Sequence, residues 1–251
     1  MIAVLMLVLG AAAVPASSAS PACAPPPSEV LYHGCAGRDA ARVLLVPDDL
    51  PLPAASGAPS VIVTAAYTGR DQRADGAPAP VGIAVIAGRV IGRTLARMDG
   101  ILMIDADGRP QLMRADAVAL SGTTWDLQDP TLRAAFLVAA GEAGVSAVQS
   151  HLLIIDGRVD TRPVDDAPVA TRRVFYQRGD GFGVWQSAEP MTLDQAARAV
   201  AADVAPDMAL NLDMGSFNFC LARAEGVERS CGLNAAGWEE RLSTLLMLYR
   251  R

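Results

Sequence analysis

Ala209-Leu210-Asn211-Leu212-Asp213-Met214-Gly215-Ser216-Phe217-Asn218 reads as a short apolar strand that carries an aspartate to its own end and then turns sharply. A buried strand that presents a carboxylate where the backbone turns is a common way to build a site in a sheet flanked by helices. Period-two alternation puts Asn211 and Asp213 on one strand face, within reach of the same ligand. Immediately upstream, Thr192-Leu193-Asp194-Gln195 is a capping-box pattern, an Ala-rich segment follows, and Pro206 closes it. The spacing predicts a helix over 193–204, packed on the sheet through Leu193, Ala196, Ala197, Val200 and Val204.

Outward from this unit the chain alternates short apolar runs with turn residues. Runs at 43–46, 61–64, 81–87, 101–104, 152–155, 174–176 and 182–185 have strand length. Several end in hairpin chemistry, such as Asp156-Gly157 and Gly179-Asp180-Gly181, where residues tolerate a positive φ. Asp129 stands as a cap before Pro130, which predicts a second helix over 130–140. Residues 238–241 read as one helical turn and 244–249 as a final strand. A doubly wound parallel fold needs a helix between most strands, and these helices are too few. The expectation is an α+β fold: a single domain with a strand-rich mixed β-sheet and a few surface helices.

The composition narrows the chemistry. The chain has 251 residues, 51% of them hydrophobic, enough for one well-buried domain plus a leader. All 21 basic residues are arginine. The lack of lysine excludes a Walker-type phosphate lysine, a Schiff base and a Ser-Lys dyad. With a net charge of −6 and scattered arginines, the electrostatic footprint of a nucleic-acid partner is missing. The only histidines, His33 and His151, are too few for a His-rich zinc site. Asp105 with Asp107, and Asp165 with Asp166, lack the spacing of a calcium loop, so no metal or cofactor is expected.

Residues 1–22 read as a cleaved secretory leader, with an apolar run from Ile2 to Val14 too short to span a bilayer. Lipid attachment at Cys23, or retention as an N-terminal anchor, are the alternatives. The expected organisation is then a leader over 1–22, a Pro-rich segment over 23–42 and one domain over 43–251, periplasmic or secreted, with no membrane span in the mature chain. Cys23, Cys35, Cys220 and Cys231 suit two bridges in an oxidising compartment, and four cysteines leave three pairings open.

Several stretches, in order, resemble the phosphodiester glycosidase family. They are Pro80-Val81-Gly82-Ile83 with Gly88-Arg89, Met98 to Gly108, Val148 to Gly157, Thr171-Arg172-Arg173, Gly183 to Ala196, and Ala209 to Ser216. Together they cover roughly residues 60–220. The resemblance implies a hydrolase acting on a sugar-phosphodiester or related glycosidic linkage in an envelope or extracellular glycoconjugate. Asp213 is then the catalytic carboxylate, and Arg173 or Arg172 holds the phosphate with a guanidinium fork. The two arginines alternate sides of a strand, and Arg173 is the preferred one. Asn211, Gln149, Ser150, Gly215 and Ser216 are expected to contact the substrate.

Three positions depart from the family's pattern. Thr64-Ala65-Ala66-Tyr67 lacks its asparagine, His151 replaces a glycine, and Met214 replaces the second glycine after the aspartate. These departures support a second expectation, an inactive relative that binds a glycan or an envelope partner. His151, beside an apolar strand, reads as a packed, hydrogen-bonded residue rather than a catalyst.

Overall fold

The structure, a computed structural model, describes residues 23–28, 30–52, 60–213, 218–224, 227–232 and 236–251. The expected leader, Met214, Gly215 and Ser216 lie outside the described residues. Strands β1 (Tyr32–Cys35), β2 (Asp39–Leu45) and β3 (Ser60–Thr64) precede a ribbon of β4 (Thr68–Gln72) and β5 (Pro78–Pro80). Next come β6 (Ala84–Ile86), β7 (Arg89–Gly92), β8 (Gly100–Ile104), β9 (Pro110–Arg114), β10 (Val118–Leu120) and β11 (Thr123–Trp125). Helix α1 (Pro130–Glu142) leads to β12 (Ser146–Ser150), β13 (Leu152–Ile155) and β14 (Arg158–Val159). Then follow β15 (Arg173–Arg178), β16 (Gly181–Gln186), α2 (Leu193–Val204) and β17 (Met208–Asn211). Last are β18 (Cys220–Ala224), β19 (Val227–Ser230), a 3-10 turn at Trp238–Glu240 and β20 (Thr244–Arg250).

The α+β expectation with one mixed sheet is corrected: the chain is mostly β, with 44% strand and 14% helix. Three larger sheets carry the fold. One has six strands in the order β1-β16-β15-β17-β13-β14, and two have five, β7-β6-β12-β8-β9 and β19-β18-β3-β20-β2. Every ladder between these named strands is antiparallel. The excess strand comes from segments without an apolar run. Thr-Gly-Arg-Asp-Gln in β4 and Val-Glu-Arg-Ser in β19 pair through backbone groups while their side chains stay exposed or half-exposed. Hydrophobic periodicity does not register such edge strands.

Alternating residues of all three sheets meet in one central core, exemplified by Val43, Val63, Leu102, Val148, Phe175, Leu210, Leu212 and Leu246. The opposite face of each sheet is covered as well. Helix α1 packs Phe136, Leu137 and Ala140 on Ile83, Ile101 and Ala147. Helix α2 packs Ala196, Ala197, Val200 and Val204 on Leu153, Val174 and Ala209. Phe219, Leu242 and Trp238 pack over Leu44, Ile62 and Leu245 of the third sheet. Strands buried on both faces read as continuous apolar runs, which is why 43–46 and 152–155 carry no polar alternation.

Both helices start where their caps predict. The Asp129 carboxylate accepts from the amides of Thr131 and Leu132, and Thr192 with Gln195 closes a reciprocal capping box. Each such cap stabilises its helix by ~1 kcal/mol. Cys23 is bonded to Cys35 and Cys220 to Cys231, which decides among the three pairings. Two disulfides fit a chain that works outside the cytoplasm, periplasmic or extracellular. No helix among the described residues is long and apolar enough to cross a membrane.

Candidate functional site

Strands β15 and β17 pair with Val174 opposite Asn211, and the ladder continues as the Leu212 amide donates to the Arg173 carbonyl at 2.9 Å. One step further, this register sets Arg172 across from Asp213. Val174 packs under helix α2 and Phe175 faces the central core. Alternation therefore places Arg172, Asn211 and Asp213 on the helix-bearing face, and Arg173 on the core face.

Asp213 also marks a change of sheet. Its amide donates to the Ala65 carbonyl at 3.0 Å, and the Thr64 hydroxyl donates to its carbonyl at 2.5 Å, so the chain beyond β17 joins the end of β3. Asp213 is 5% exposed, and its carboxylate accepts from the Thr68 amide at 3.1 Å. Between these contacts the β3 end delivers Tyr67. The Asn211 side-chain amide donates to the Tyr67 phenol oxygen and to the Leu212 carbonyl. That leaves the Asn211 side-chain oxygen, Oδ1, buried with no hydrogen-bond partner among the described residues. Burial first, then the charge of Asp213, push the Tyr67 phenol up to about 12, against the opposing charge of Arg172. Tyr67 is thus a neutral phenol set between an anion and a cation.

Next to this cluster opens a cleft of about 840 Å³, with Arg172, His151, Asp99, Leu95, Met98 and Leu193 in its wall. That volume suits a small-molecule ligand. Arg172 donates from Nε to the Met191 carbonyl at 2.8 Å and from Nη2 to the Pro168 carbonyl at 2.5 Å. No carboxylate among the described residues pairs with it. His151 is the single residue linking β12 of one sheet to β13 of another. Its ring meets Tyr67 edge-on at 6.1 Å. The imidazole is packed, as expected, but without a hydrogen bond among the described residues. Burial lowers its pKa, against the nearby charge of Asp99, which favours the neutral ring.

The remaining expected contacts lie elsewhere. Arg173 is fully buried, and among the described residues its guanidinium binds only neutral groups: Gln186 Oε1, Asn218 Oδ1, the Phe219 carbonyl and the Thr64 hydroxyl. Its five N–H donors are all used. Burial pulls its pKa down to about 9, so it stays charged at neutral pH. Gln149 is fully buried too, and its amide is spent on backbone. Its oxygen accepts from Ile83 and Ala96, both at 3.0 Å, and its nitrogen donates to the carbonyls of Ala96 and Met98. Gly82, at φ +86°, makes room for it, since a Cβ there would stand 2.3 Å from Gln149 Oε1. The Ser150 hydroxyl donates to the Asn211 carbonyl at 2.5 Å, tying β12 to β17.

Gathered at the β17 end are Tyr67, Arg172, Asn211 and Asp213, with His151 against Tyr67; Gly215 and Ser216 fall outside the described residues. Tyr67 and His151 are the additions to the residues picked from sequence. The signal for Tyr67 was its place just beyond the 61–64 strand, where the resemblance already located a site. Among the described residues no three His, Cys, Asp or Glu side chains converge as a metal site would require.

Compared with models of known protein families and with curated proteins, the chain matches none. Among solved structures it is similar to an exported protein of Burkholderia pseudomallei, at TM-score 0.50 and 14% identity over 84% of this chain and 71% of that one. A hypothetical protein from Synechocystis aligns at TM-score 0.48 and 13% identity over 86% of this chain. The catalytic domain of zebrafish N-acetylglucosamine-1-phosphodiester alpha-N-acetylglucosaminidase, auto-inhibited by its pro-peptide, aligns at TM-score 0.44 and 14% identity over 76%. This chain spans 57% of the Synechocystis protein and 63% of the zebrafish one. At these identities the relationship is a distant one of fold.

Proposed function

We propose that this chain is an exported protein of phosphodiester-glycosidase type, whose site lies at the end of β17 and hydrolyses a sugar joined through phosphate. The observation that carries the reading is the meeting of Asp213, Asn211 and Arg172 on one sheet face beside the cleft, with Tyr67 set against them from the end of β3 and no carboxylate among the described residues paired with Arg172. Arg172 rather than Arg173 holds the phosphate, because only Arg172 faces the cleft and lacks a full set of partners. Tyr67, a phenol that stays protonated, donates to an oxygen of the sugar or phosphate. The buried, unpartnered Oδ1 of Asn211 accepts from a ligand hydroxyl. Asp213 supplies the negative charge that favours oxocarbenium character at the anomeric carbon.

A second reading, a binding protein without turnover, is favoured by the structural duties of Asp213, whose carboxylate accepts from the Thr68 amide. One comparison separates the two. Asp213→Asn is expected to lower hydrolysis of aryl and sugar phosphodiesters by roughly 10²–10⁴-fold while binding persists. Wild-type protein that binds these compounds and turns none over selects the second reading.

A further inference from the structure

We infer that the ligand of the cleft is an anionic glycolipid, in which the far side of the phosphodiester carries a hydrocarbon chain. This rests on the function proposed above and deepens it. The cleft wall beside Arg172 is aliphatic, formed by Leu95, Met98, Leu193 and Val164. Val164 is 69% exposed, and Val169, on the same segment between β14 and β15, is 64% exposed. A cleft wall of Leu95, Met98, Leu193 and Val164 beside one cation is the lining that suits an apolar group joined to an anion. A sugar phosphate alone would leave them wet.

Charge fixes which end of the ligand goes where. Arg172 lies at the end of that segment and grips it through the Pro168 carbonyl, so the cation and the aliphatic rim are parts of one wall. Three carboxylates share this lining, and two of them are engaged: Asp194 is paired with Arg198 at 3.0 Å and accepts from Thr161, and Asp99 accepts from the Leu152 amide, while Asp160 lies exposed at the rim. Arg97 and Arg162 also line the cavity. A phosphodiester at Arg172 therefore projects its second ester substituent along Val164 and Leu193. A hydrocarbon chain is the substituent that this wall takes from water.

The test is calorimetric titration of the full, disulfide-bonded chain, as Asp213→Asn so that binding is read without turnover, with methyl, octyl and phenyl diesters of glucose 1-phosphate and N-acetylglucosamine 1-phosphate. Octyl glucoside serves as a chain without phosphate. Each buried methylene strengthens binding by about fourfold at most, so the octyl diester should bind roughly 30-fold or more tighter than the methyl diester. In Val164→Asp and Leu193→Asn the octyl-to-methyl ratio should collapse to a few-fold. Equal affinity of methyl and octyl diesters overturns the glycolipid and leaves the sugar-phosphodiester site standing. A phenyl diester as tight as the octyl one replaces the chain by an aryl group and also overturns it. If octyl glucoside binds as tightly as the octyl diester, the anion has no role. If no diester binds, the functional reading falls with the proposal.

Discussion

Arg172 and Arg173 leave consecutive positions in opposite directions, and their surroundings differ in whether the cation has been used up. On the core face, Arg173 lies fully buried with its donors spread over Thr64, Gln186, Asn218 and Phe219. It braces the end of β3, the strand pair β15–β16 and the approach to the Cys220–Cys231 bridge. On the helix-bearing face, Arg172 is half-buried, anchored by two carbonyls and without a carboxylate partner among the described residues. The lesson is that a guanidinium in a site is recognised by unspent donors and an open side. Burial and a rich hydrogen-bond list point instead to a structural brace.

That contrast breaks most directly by removing each arginine in turn. Arg173→Met should cost about 3 kcal/mol or more in urea unfolding, because several buried acceptors lose their donor at once. Arg172→Met should leave the unfolding midpoint nearly unchanged. Its effect should appear in phosphodiester binding, weakened by about 1.5–3 kcal/mol, the range for hydrogen bonds to charged groups. If the two variants exchange these signatures, the assignment of the faces is wrong.

A smaller effect sharpens the picture around His151. Its folded pKa lies below the ordinary 6.5, so as pH falls the unfolded chain takes up that proton first. The His151 contribution is fully present above pH 6.5 and is lost as pH drops through its lowered folded value. His151→Gln should therefore flatten part of the acid limb of a stability–pH curve relative to wild type. Tyr67 gives the smallest signal, with the opposite sign. Its raised pKa holds the proton in the folded state, so its contribution is intact below pH 10.0 and fades as pH approaches about 12. In an ultraviolet titration, Tyr67→Phe should lack one phenolate that appears late in the wild type.

Local signals were legible where chemistry is local. The capping box at Thr192, the Asp129 cap, the 193–204 helix and strand β17, which ends at Asn211 two residues short of Asp213, follow from neighbours in sequence. The balance of strand to helix was not, because β4 and β19 pair through backbone groups with no apolar stripe to reveal them. The alternation of Arg172 and Arg173 was equally plain, but alternation alone gives opposite sides without saying which side is core. Only the register against Asn211 and the position of helix α2 settle that. Gln149 shows the same limit: a buried amide and a ligand-facing amide look identical until the backbone groups around it are placed.

The handover of one strand between two sheets has a mechanical consequence. Leu212 is tied to β15 and Asp213 to the end of β3, so the carboxylate sits on a joint between two rigid plates. Its backbone position is tied to how far apart the central core holds those plates. A small change in core volume, even one remote from the cleft, is thereby transmitted as a displacement of the charged group itself.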